Sequence, residues 1–169
     1  MKSILIIAGV LCAAVVVARS DDVTKGIVML ESKSGSKVSG TIIFSKAGDD
    51  VEATGDISGL TPGKHGLHIH EKGDCSAADA ASAGGHFNPS KKHHGGPSGA
   101  ERHGGDLGNI EADASGKAHV QWKGKLSFTG ADSIIGKSVV VHEKEDDFKT
   151  DPAGNSGARQ ACGVIEPGT

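Results

Sequence analysis

Seven short runs rich in Val, Ile and Thr, each closed by a turn signal, limit what this chain can fold into. They cover residues 23–30, 38–44, 51–57, 67–70, 118–126, 134–142 and 161–165. Turn-forming groups such as Lys46-Ala47-Gly48-Asp49 and Thr61-Pro62-Gly63 separate them. No segment longer than a few residues carries a convincing helical stripe. Many short strands joined by Gly-rich turns predict an all-β, antiparallel Greek-key sandwich or barrel. With four Phe, one Trp and no Tyr, its core has to be mostly aliphatic. At 169 residues the chain reads as one domain without an interdomain linker.

One of these runs carries chemistry. In GLHIH, residues 66–70, His68 and His70 project from one face of a strand while Leu67 and Ile69 project from the other. Their rings start roughly 6.6 Å apart, close enough to grip one metal ion. On a helix the pair would diverge. A pair of surface histidines above a buried Leu/Ile face is the plainer alternative, and the remaining histidines must decide.

The N-terminus MKSILIIAGVLCAAVVVARS has one Lys, an apolar run over residues 4–17 and small residues at Ala18 and Ser20. That run is too short to span a bilayer comfortably and reads as a secretory signal peptide over residues 1–20, leaving a domain over residues 21–169. Cys12 then leaves with the leader, and no stable membrane anchor is expected. Without Lys2 and Arg19 the chain holds 16 basic against 21 acidic residues, a formal charge of −5. That argues against nucleic-acid binding. Cys75 and Cys162 remain, an even pair in an oxidising compartment, whose default reading is a disulfide.

Two long segments break the strand pattern. Residues 143–158 are polar and charged. Residues 71–106 have almost no apolar periodicity, yet they include GGHFNPSKKHHGGPSGAERHGGDLGN, with His86, His94, His103 and Asp106 spaced among glycines. Structureless loops this long are uncommon in compact domains and are usually functional or disordered. Four ligand-type side chains at intervals favour function, the glycines letting backbone wrap closely around an ion.

The blocks GLHIH, GGHFNP, HGGP, ERHGGDLGN, VVVHEKEDD and GNSGARQACGVI together resemble the copper/zinc superoxide dismutase family, in that family's order and over nearly the whole mature chain. The resemblance implies copper ligands His68, His70, His86 and His142. It implies zinc ligands His86, His94, His103 and Asp106, with His86 shared. Imidazole suits both metals, and three His with one carboxylate is a normal closed zinc set. Asp146 would link ligands of the two metals, fixing ring orientation. Arg159 would attract and orient a small anion beside copper. The implied activity is dismutation of superoxide by alternate reduction and oxidation of copper, His86 supplying a proton. Among the other histidines, the counterpart of His65 bonds backbone beside the site, His93 reads as a surface residue, and His119 has nothing around it to coordinate.

Departures from the family pattern also count. Cys75 lies only five residues after His70, so its bridge would follow a different loop path. Residues 143–158 are fewer than in the familiar cytosolic enzymes and hold five acids against Lys144 and Lys149, which weakens long-range steering of an anion. Lys72 stands where those enzymes carry an aromatic dimer contact, which leaves a homodimer an open alternative. The expected destination is secreted, either extracellular or periplasmic. The competing function is a copper carrier or metal buffer on the same fold, binding without turnover.

Overall fold

Period-2 burial sets the strands of the barrel. In β3 (Asp50–Ser58), Val51, Ala53 and Ile57 are buried while Glu52, Thr54, Asp56 and Ser58 face water. This half-buried pattern is the one an antiparallel strand with one solvated face should have. The computed structural model describes residues 23–168. The other strands are β1 (Lys25–Ser32), β2 (Ser39–Ala47), β4 (Gly63–His70), β5 (Asp106–Ala112), β6 (Ala118–Gly124), β7 (Ser138–His142) and β8 (Arg159–Pro167). Among the described residues the helical element is a single 3₁₀ turn, Ala81–Ala83. The leader read over residues 1–20, Cys12 included, lies outside the described residues.

The strands close into a barrel in the order β1-β2-β3-β6-β5-β4-β7-β8, every pairing antiparallel. The chain crosses two strands between β3 and β4 and again between β6 and β7, the non-sequential connection expected of a Greek key. The ring closes between β5 and β6 through one pair, Ala112 with Ala118, while the other seams are paired along several residues. Val28, Leu30, Ile42, Phe44, Ile57, Leu67, Ile69, Val120, Val139 and Ile165 fill the interior.

β5 is the strand that the periodicity misses. It begins with Asp106 and carries Gly108 and Asn109, residue types depleted in strands. Its pairing with β4 and the inward Leu107 and Ile110 override that local preference. The run at residues 134–142 becomes strand only from Ser138, because residues 134–137 form a turn against β8.

β4 and β7 are buried on both faces at the site end. Inward, Leu67, Ile69, Val139 and Val141 join the core. Outward, Val140 packs in a second cluster with Cys162, Ala80 and Ala83, under residues 71–85. A disulfide between Cys75 and Cys162, 87 residues apart in sequence, staples that loop to β8. In the chain-entropy model, closing so long a loop contributes up to about 4.5 kcal/mol. Intact mass should rise by two hydrogens on reduction. Urea unfolding should then show a lower midpoint for the reduced protein, and an unchanged midpoint would mean the staple contributes nothing.

Candidate metal centre

Two register slips deliver the first ligand-type side chains. Leu67 pairs with Gly108 but His68 with Asp106; Val141 pairs with Ala161 but His142 with Arg159. Such bulges re-aim the side chain that follows. His68, His70 and His142 therefore leave the outer face of β4 and β7 together, and the isolated bridge between His70 and His86 brings the long loop back over them. One ligand atom from each of His68, His70, His86 and His142 lies within 4.8 Å of the others. His86, His94, His103 and Asp106 form a second group to the same limit. His86 belongs to both, and all seven residues are buried.

The second group centres on Asp106. Its Oδ1 lies 2.8 Å from His86 Nδ1 and 3.2 Å from both His94 Nδ1 and His103 Nδ1. Its Oδ2 accepts from the backbone N–H of His103 at 2.9 Å and of Gly95 at 3.1 Å. The carboxylate is thereby fixed at the loop ends that carry His94 and His103. Burial alone would raise the Asp106 pKa, but the His86 and His94 rings outweigh it and hold the carboxyl far below the usual range. For His94 burial pulls the ring down, while Asp106 and Asp146 more than reverse this and raise it to about 10.

The first group behaves oppositely. Burial, then the neighbouring imidazoles, hold His70 and His142 well below their ordinary value. His86 falls to about 4, burial outweighing the pull of Asp106. These rings stay neutral, with lone pairs available to a cation. His68 Nδ1, His70 Nε2, His86 Nε2, His94 Nδ1 and His142 Nε2 are buried without a hydrogen-bond partner among the described residues. Buried ring nitrogens are rarely left so, since each gives up its hydration. Four orphaned nitrogens on one side and a three-His, one-carboxylate set on the other fit copper and zinc by donor chemistry.

Asp146 stands between the groups. It accepts from His68 Nε2 through Oδ2 at 2.7 Å and from His94 Nε2 through Oδ1 at 2.9 Å. Asn109 on β5 anchors it, donating to its backbone carbonyl and accepting from its backbone N–H. Arg159 donates to the carbonyls of Ala80 at 2.7 Å and Gly84 at 2.8 Å. The Gly84 carbonyl also accepts from His70 Nδ1 at 3.0 Å, so guanidinium and ligand ring share one anchor.

This arrangement decides the comparisons. The profile of the family described as copper/zinc superoxide dismutase (SODC) matches residues 38–165. The chain belongs to that family. Extracellular superoxide dismutase [Cu-Zn] of Caenorhabditis elegans is 48% identical over 140 residues, covering 79% of this chain and 63% of that protein. The protein of the same name from Brugia pahangi is 44% identical over 149 residues, covering 82% of this chain and 74% of its own length. The chain thus spans less than two thirds of the Caenorhabditis elegans relative. The crystal structure of the clock protein EA4 superposes with a TM-score of 0.78 at 40% identity, over 85% of this chain and 94% of that one.

The structure also places the remaining histidines. His65 is buried, its ring nitrogens 2.8 Å from the His142 carbonyl and 2.9 Å from the Thr61 carbonyl. His93 is exposed, as read from sequence, but not idle: it contacts Asp151. His119 is exposed beside Asp56.

Because Asp146 orients one ring from each group, Asp146→Leu should weaken zinc binding by about 10- to 100-fold, the usual cost of losing such a carboxylate. Competition against a chromophoric chelator measures this, and wild-type affinity would refute the role.

Proposed function

We propose that this chain catalyses the dismutation of superoxide, turning two superoxide anions and two protons into one dioxygen and one hydrogen peroxide. The observation that carries this reading is the set of four orphaned imidazole nitrogens converging beside a cation, Arg159. Copper is assigned to His68, His70, His86 and His142, and zinc to His86, His94, His103 and Asp106. Copper supplies one-electron exchange with the substrate, and zinc supplies fixed charge without redox chemistry.

The chain's own residues do the rest. Arg159 binds the anion: two carbonyls hold the guanidinium in place, and its remaining N–H groups serve a small oxyanion. Burial of His70, His86 and His142 excludes water and keeps their nitrogens free for metal. His86 Nε2, one of the partnerless nitrogens, would hold and pass on the proton that the peroxide product needs. Asp146 keeps His68 oriented through the cycle. A carrier would need the nitrogens but has no use for an anchored guanidinium.

We also assign the chain to the secretory route and outside the cell, supported by the apolar leader and by the names of the two extracellular relatives. No helix among the described residues is long and apolar enough to cross a membrane. Self-association as a homodimer is assigned to the outer face of β1 and β8, where Ile27, Met29, Val164 and Pro167 line a groove flanked by Glu31 and Glu166. Met29 there is 73% exposed. Sedimentation should show a dimer that Met29→Lys dissociates; a monomer at every concentration would exclude it.

The secreted protein should hold one copper and one zinc and turn over superoxide rapidly, by elemental analysis and pulse radiolysis. Tight metal without turnover would instead support the carrier. Any attraction of the anion to a net negative chain has to be local. Arg159→Ala should therefore keep both metals yet slow dismutation by about tenfold or more and flatten its salt dependence. Arg159→Lys should fall between, since it keeps the charge but loses the planar fork. A wild-type rate and salt slope for Arg159→Ala would remove this residue from the mechanism.

A further inference from the structure

A clasp joins the two long loops at a point that the ligand sets leave unexplained. Asp151, in the middle of residues 143–158, accepts from the backbone N–H of His94 through Oδ1 at 2.7 Å. Its Oδ2 lies 2.8 Å from Nδ1 of His93. The His93 ring is 85% exposed, so that pair is screened and contributes little. The amide bond differs in kind, because it fixes the backbone of a residue whose ring enters the second ligand group.

The segment carrying Asp151 is itself rigid. Asp147 accepts from the backbone of Lys149 and Thr150, from Thr150 Oγ1 and from Asn155 Nδ2. Those bonds hold its carboxyl down to about 2. Gly154 takes a left-handed φ of 63° and lies directly on the Asp146–His94 contact, where a Cβ would collide with Asp146 Oδ1. The Phe148 ring packs over Gly96. His94 is therefore held at its ring by Asp146, at its amide by Asp151, and through Gly95 by Asp106.

We propose that Asp151 is a positioning residue for the zinc side: by clamping the His94 amide to the opposite loop, it sets how fast zinc leaves. This rests on the reading that zinc occupies the His86, His94, His103 and Asp106 set. The experiment loads wild type, Asp151→Ala, Asp151→Asn and His93→Ala with zinc and follows its release into excess chelator. Cobalt(II) in the same set, read by its visible bands, reports ligand geometry. Asp151→Ala should release zinc about tenfold faster or more, in the range that orienting groups around a metal command. Asp151→Asn should stay near wild type, because its amide oxygen still accepts from the His94 N–H. His93→Ala should also stay near wild type. Release from Asp151→Ala at the wild-type rate overturns the proposal, as does Asp151→Asn or His93→Ala releasing as fast as Asp151→Ala. If wild type takes up no zinc, the zinc reading falls on its own. Hydrogen exchange at the His94 amide of the metal-free proteins then decides the clasp: faster in Asp151→Ala supports it, equal exchange refutes it.

Discussion

Asp146 faces two ways, and the geometry of the centre follows from that. One oxygen meets a ring rooted in the barrel wall, His68, and the other meets a ring rooted in a loop, His94. A strand side chain is placed by the ladder and by packing of its neighbours. A loop side chain has no such support and needs a partner that the barrel has already fixed. Asn109 on β5 grips the Asp146 backbone at both polar groups, so barrel order reaches the loop through one carboxylate. The Asp146 carboxyl is held far below its usual range, the two rings overcoming the upward push of burial, and therefore stays an acceptor for both.

Burying a polar cluster of this size opposes folding unless something satisfies it. The loops and turns around the site supply part of the answer through carbonyls: Gly84 to His70, Gly157 to His142, Thr61 to His65. What is left among the described residues, one ring nitrogen each of His68, His70, His86 and His142 with no hydrogen-bond partner, is the part a cation satisfies. Fold stability and metal affinity are thus linked, because a ligand that binds only the native state stabilises it by mass action. The staple from Cys75 to Cys162 works on the same problem from the chain side, by keeping residues 71–85 near the rings they cover.

How much of this is legible in sequence depends on range. Alternation places His68 and His70 on one face without any tertiary information, and the Val-rich runs give seven of the eight strands. β5 escapes because Asp106, Gly108 and Asn109 speak against a strand locally, while its partner β4 lies over 35 residues upstream. The ligand sets become legible only through the ordered resemblance, since no local rule brings residues 86 and 142 together. The Asp151 contacts are invisible at that level: they join positions 57 and 58 residues apart, and His93 alone reads as an ordinary surface histidine.

The displaced cysteine shows how a site can keep its geometry while its scaffold shifts. The hydrogen bonds that position Arg159 go to two backbone carbonyls, those of Ala80 and Gly84. Carbonyls are available from every residue type, so the loop need only present two of them at the right place. Here Ala80 adopts a left-handed φ of 56° and is fully buried against Val140 and Cys162, which turns its carbonyl toward the guanidinium. With that turn in place, the cysteine is free to sit only five residues after His70, at Cys75, and still reach Cys162. The constraint that persists is on backbone position around Ala80 and Gly84; the location of the sulfur is secondary to it.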